Sequence, residues 1–81
     1  MRVTVRTFAA LREALGGGSL DLELPDGATV GEAVAALAAR APRAGPLLER
    51  SACAVNARYA ARGERLSSGD ELALIPPVSG G

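Results

Sequence analysis

Two hydrophobic periods alternate along this chain. Arg2-Val3-Thr4-Val5-Arg6-Thr7 repeats every second residue, with Val3 and Val5 on one side and Arg2, Thr4 and Arg6 on the other, and predicts a half-buried strand. From Phe8 the period lengthens: Phe8, Leu11 and Leu15 fall at i, i+3 and i+7, the spacing of a short helix. Gly16-Gly17-Gly18 stops it and supplies the positive φ that a turn back requires. Ser19-Leu20-Asp21-Leu22-Glu23-Leu24 then returns to strict alternation, so a second strand is expected, able to pair with the first. Pro25-Asp26-Gly27 closes it.

The main helix has a marked start. Thr29 stands as N-cap with Glu32 three residues later, the spacing at which side chain and backbone satisfy each other in a capping box. Val30, Ala33, Val34, Leu37 and Ala41 recur at helical spacing, a narrow stripe whose alanines allow close packing on a sheet. Arg40 suits the negative helix end, and Pro42 ends the element.

Pro42 to Arg50 is turn-rich, with room for one helical turn at Pro46-Leu47-Leu48-Glu49-Arg50, where Leu47 and Leu48 are expected to cap the core. Ser51 to Asn56 predicts a strand containing Cys53 and Val55, and Asn56-Ala57-Arg58 a turn start. Tyr59 to Leu66 stays open between irregular chain and a short edge strand at Tyr59-Ala60-Ala61 followed by an exposed Arg62-Gly63-Glu64-Arg65 turn. After the loop Leu66-Ser67-Ser68-Gly69-Asp70, the final strand Glu71 to Ile75 places Leu72 and Leu74 together and Ala73 and Ile75 opposite. One principal helix against a mixed sheet makes a two-layer α+β domain, with the first and last strands expected at its centre.

Composition narrows the chemistry. Eighty-one residues make one small domain, too small for a multi-site enzyme. Nine Arg balance nine acidic residues and only Phe8 and Tyr59 are aromatic, so neither a basic field nor a stacking platform for nucleic acid is expected. With no His and one Cys, neither an ordinary metal site nor an internal disulfide can be assembled. Cys53, in the apolar run Ala52 to Val55 and with no base partner in view, reads as a buried structural thiol. The charged N-terminal segment and the lack of any apolar run near the 18 or so residues of a membrane span lead us to expect a cytoplasmic protein with no membrane partner.

The end of the chain has another character. Pro76-Pro77 terminates the hydrophobic segment and holds the chain stiff and extended. Gly80 and Gly81 carry no Cβ, which suits a main chain entering a narrow channel. Pro76 to Gly81 reaches roughly 20 Å when extended, at about 3.3 Å per residue. The expected division is therefore a domain over 1–75 and an extended, flexible Gly-Gly tail over 76–81, with Pro76, Pro77, Val78, Ser79 and Gly80 held by a partner and the Gly81 carboxylate as the working group.

Val55-Asn56, Leu66-Ser67-Ser68-Gly69-Asp70-Glu71 and Pro76-Pro77-Val78-Ser79-Gly80-Gly81 together resemble the small-subunit family of molybdopterin synthase, the MoaD-type sulfur carriers. Phe8-Ala9-Ala10-Leu11-Arg12-Glu13 is similar to that family as well, and the resemblance spans the chain. Leu74-Ile75 depart from it, since aromatics are common before the Pro-Pro pair. The resemblance implies a ubiquitin-like β-grasp fold. It also implies that a ubiquitin-activating-type enzyme, using ATP and Mg²⁺, adenylates Gly81, and that a sulfur donor protein converts it to a thiocarboxylate. The tail would then enter the large synthase subunit and give sulfur to cyclic pyranopterin monophosphate in molybdenum cofactor biosynthesis. On this view the chain binds no cofactor and is not catalytic alone, the acid-base residues lying on the large subunit.

Docking of such a carrier is expected on an apolar patch beside the tail's root. Phe8, Tyr59 and Ile75 are the candidates, although Phe8 suits core packing equally well. The alternatives are a thiamine-pathway sulfur carrier, a ubiquitin-like modifier joined to other proteins through Gly81, and a β-grasp binding module with an inert tail. Having no lysine, this chain cannot form polymers linked through internal lysines.

Overall fold

A computed structural model describes residues 1–78. Its strands are β1 (Arg2–Thr7), β2 (Ser19–Glu23), β3 (Ala52–Val55), β4 (Arg58–Tyr59) and β5 (Glu71–Ile75). Its helices are α1 (Ala9–Ala14), α2 (Val30–Arg40) and α3 (Gly45–Arg50), with a 3₁₀ turn at Pro42–Ala44. The five strands form one mixed sheet in the order β2-β1-β5-β3-β4. β1 and β5 run parallel, and the other neighbours are antiparallel.

Alternation decides which face is buried. Val3 pairs Leu22 and Val5 pairs both Leu20 and Leu72, while Leu74 pairs Thr7 and Cys53, so one sheet face presents a continuous apolar surface. Val30, Ala33, Val34 and Leu37 of α2 are buried in the same cluster, joined by Leu11, Leu48 and Leu66. The capping box forms as expected: Thr29 Oγ1 accepts from the Glu32 amide at 3.1 Å, and the Glu32 carboxylate accepts from the Thr29 amide at 2.9 Å. This is the ubiquitin-like β-grasp architecture, a mixed sheet closed on one side by a principal helix.

Three local expectations change. Phe8 does not join the helical stripe: it precedes α1 in extended conformation (φ −137°, ψ 154°) and carries the β1 alternation one residue further, away from the core. Ala9 then turns the chain at φ 51°, leaving Leu11 as the buried residue of α1. β4 forms at Arg58–Tyr59, with Ala54 opposite Tyr59, instead of at Tyr59 to Ala61. The Arg62 to Arg65 turn is exposed at Gly63, Glu64 and Arg65 as expected, but Arg62 is half-buried: its Nη2 donates to the carbonyls of Leu48, Glu49 and Ser51 at 3.0 to 3.1 Å and caps the end of α3. Among the described residues, no helix is long and apolar enough to cross a membrane.

Candidate functional site

The sheet face opposite α2 is divided. Across β2 and β1 it carries Asp21, Glu23, Arg2 and Arg6, with ion pairs Arg2–Glu23 at 2.8 Å and Arg6–Glu71 at 3.0 Å. Such exposed pairs contribute little to stability but keep that half hydrated. Across β5, β3 and β4 the same face is apolar: register sets Ala73 beside Ala54, Ala54 beside Tyr59, and Ile75 beside Ala52.

Small residues on this half make a floor and large ones make walls. Phe8, Tyr59 and Ile75 surround Ala54, Ala57 and Ala73 in an open groove of about 400 Å³. Phe8 is 45% and Tyr59 81% exposed, so these rings face outward instead of filling the core. Ala54 is buried without belonging to the core cluster under α2; it lies beneath the groove. The three residues singled out from sequence thus converge on one feature. Their alanine floor was missed, although the alternation of β5 and β3 contains it.

Ile75 and Phe8 also border a second hollow, of about 770 Å³, formed where Pro76, Pro77 and Val78 leave the sheet beside Leu47 and Arg50. Leu47 packs half-buried against the core, capping it as expected, and also borders this hollow, while Leu48 is sealed inside. Pro76 is half-buried, Pro77 exposed and Val78 92% exposed, so the main chain departs from the central strand into solvent within three residues. Ser79, Gly80 and Gly81 lie outside the described residues. Nothing in the sequence pattern signalled Arg50, which comes beside the tail's root only through the placement of α3.

The hairpin behind Tyr59 is held by polar contacts. Asn56 and Ala57 adopt φ values of 49° and 69°, the conformation of a type I′ turn. The Asn56 side chain accepts from the Glu71 amide and donates to Asp70, each at 3.0 Å, locking this turn to the start of β5. Cys53 faces the core, where burial pushes its thiol up against the opposing pull of Arg62. A protonated, enclosed thiol has no part in surface chemistry.

Known proteins share this fold and much of this sequence. Residues 5–81 match the ThiS family. The chain is 39% identical over 77 residues to the molybdopterin synthase sulfur carrier subunit of Dictyostelium discoideum, covering 91% of this chain and 90% of the relative. It is 38% identical over 84 residues to small archaeal modifier protein 1 of Haloferax volcanii, covering 94% and 97%. The crystal structure of SAMP1 from Haloferax volcanii superimposes with a TM-score of 0.88 at 34% identity over the whole of both chains. By fold, by sequence and by the reach of these matches to the Gly-Gly end, the chain belongs to the ThiS family.

Proposed function

We propose that this chain is the sulfur carrier subunit of a molybdopterin synthase, bearing transferable sulfur as a thiocarboxylate on Gly81. The observation that carries the reading is the junction at Ile75. The central strand delivers an exposed Pro-Pro-Val lead beside an apolar groove, so one partner can grip the sheet face and receive the tail together. The relative from Dictyostelium discoideum, named as a sulfur carrier subunit of that synthase, supports the assignment.

The chemistry is dictated by the weakness of a carboxylate as an electrophile. An adenylating enzyme therefore first converts Gly81 to an acyl adenylate, using ATP and releasing pyrophosphate. The terminal sulfur of a persulfide donor attacks and displaces AMP to give an acyl disulfide, and a second thiol then reduces its S–S bond, leaving the thiocarboxylate on Gly81 and a disulfide on the donor side. The loaded tail enters the large subunit, whose acid-base groups direct sulfur transfer to cyclic pyranopterin monophosphate. The carrier's own contribution is to present a tethered reactant at high effective concentration. The sheet face, with Phe8, Tyr59 and Ile75, holds the partner, and Pro76 to Gly80 span the distance to its site.

A second reading, protein modification through Gly81, is favoured by the 38% identity to small archaeal modifier protein 1. Intact-mass analysis after co-expression with the adenylating enzyme and sulfur donor separates the two. Replacement of one oxygen by sulfur at the C-terminus is expected for the carrier. Gly81 recovered only in isopeptide linkage would move the assignment to the modifier, and unmodified chain alone would remove both. A thiamine-pathway carrier gives the same mass, and supplying each pathway's partner and substrate in turn distinguishes it.

A further inference from the structure

Both readings place an activated carbonyl on Gly81, the shared feature on which this inference rests. An acyl adenylate or thioester is open to any free amine or thiolate within reach. The nucleophile's electron pair forms a new C–N or C–S bond, AMP or a thiolate departs with the pair of the broken bond, and an attacking amine gives its proton to solvent, whereas a thiolate has none to give. A donor that carries such groups is consumed by itself and by its own copies.

These 81 residues have had them removed or withdrawn. The chain contains no lysine and no histidine, and all nine basic residues are arginines, whose guanidinium stays protonated. The Met1 amine donates to the Leu24 carbonyl at 2.7 Å and pairs with Asp26 at 3.4 Å. Because β1 and β5 are parallel, Met1 also lies at the end of the sheet opposite the tail. The distance is roughly 23 Å along seven strand residues, while a tail of six residues spans about 20 Å only if fully extended. Cys53, the one thiol, is 4% exposed and packed in the core under α2. What remains on the surface is hydroxyl, phenol, carboxylate and guanidinium: the first two are weak nucleophiles until a base activates them, a carboxylate gives only another labile acyl group, and guanidinium stays protonated.

We propose that the chain is a self-inert acyl donor: activated Gly81 is passed only to nucleophiles of other proteins, because its own copies carry no lysine, hold the half-buried Met1 amine in a hydrogen bond and an ion pair, and enclose their one thiol. On this proposal a carrier activated at Gly81 does not form cycles or polymers of itself.

The test bypasses the activating enzyme. The full chain is prepared as its Gly81 thioester of 2-mercaptoethanesulfonate by intein cleavage and kept concentrated at mildly alkaline pH, with products followed by intact mass and peptide mapping. Wild type is expected to give only thioester and hydrolysed monomer, and to be converted to the amide when butylamine is added. R50K, with an amine beside the tail's root, is expected to form self-linked amide at least about tenfold above wild type, since a tethered nucleophile acts at high effective concentration. R43K, exposed on the 3₁₀ turn, serves as a second site giving covalent dimer, and circular dichroism checks that both variants fold. Wild-type products linked through Met1 or Cys53 would overturn the proposal. So would lysine variants no more self-reactive than wild type, or a wild-type thioester that resists butylamine, which would place the inertness in the carbonyl. Because the thioester is made chemically, these outcomes stand apart from whether an adenylating enzyme recognises the chain.

Discussion

At Ile75 the alternation of β5 turns an aliphatic side chain toward the helix-free face, while its neighbour Leu74 is completely enclosed. One residue step therefore separates the proposed docking groove from the core. Ile75→Asp is expected to weaken large-subunit binding by at least about tenfold, or roughly 1.4 kcal/mol, with little change in thermal midpoint. Leu74→Asp is expected to unfold the chain, because it buries a charge with no partner. Calorimetric titration with the large subunit, alongside thermal melts, reads both effects, and equal unfolding by the two variants would place Ile75 in the core. Ala57 offers a test of the hairpin instead: at φ 69° it occupies a position that favours glycine. Ala57→Gly is expected to be stabilising by up to about 1 kcal/mol, measured by denaturant unfolding.

Cys53 gives the stability a defined pH dependence. Burial raises the folded thiol above its ordinary value of 9.0, so above that pH the unfolded chain binds fewer protons than the folded one. The contribution is complete below about pH 9 and is lost as pH rises through the folded value. Cys53→Ala is therefore expected to lose less stability than wild type between neutral and alkaline pH. Parallel loss in both proteins would exclude Cys53 as the cause.

Among the elements, those with a strong local signature were legible in the sequence. β1, β2 and β5 follow from alternation, and the start of α2 from the Thr29 and Glu32 spacing. Thr29→Ala is expected to cost about 1 kcal/mol of unfolding free energy by removing the cap. Elements set by tertiary contact were not legible. The helical spacing of Phe8 and Leu11 hid the fact that the alternation of β1 runs one residue past the strand's end at Thr7. β4 was misplaced because its register depends on pairing with β3, and its turn at Asn56-Ala57 lacks the glycine that usually announces a type I′ hairpin. The clamp of Arg62 on the α3 carbonyls joins residues 11 to 14 positions apart, and no local pattern reports it. The candidate site was read in part: Phe8, Tyr59 and Ile75 stood out as large apolar residues near strand ends, whereas Arg50 and Leu47 reach the tail's root only through the packing of α3.

For the whole molecule, the β-grasp keeps its core and its exposed apolar groove on opposite faces of one sheet. The face under α2 holds the fold together, and the apolar half of the opposite face, continuous with the tail's root, is the surface we propose for a partner. Deletion of Gly81 is accordingly expected to abolish sulfur loading while leaving the denaturation midpoint unchanged. Sulfur loading retained by the truncated chain would remove Gly81 from the chemistry. The most direct measurement is single-turnover reconstitution: purified thiocarboxylated chain mixed with the large subunit and cyclic pyranopterin monophosphate, with pterin product and carrier mass followed together. Dithiolene-bearing product is expected to appear as the carrier's terminal sulfur reverts to oxygen. A carrier that keeps its sulfur while the large subunit and substrate are present and competent would contradict the assignment.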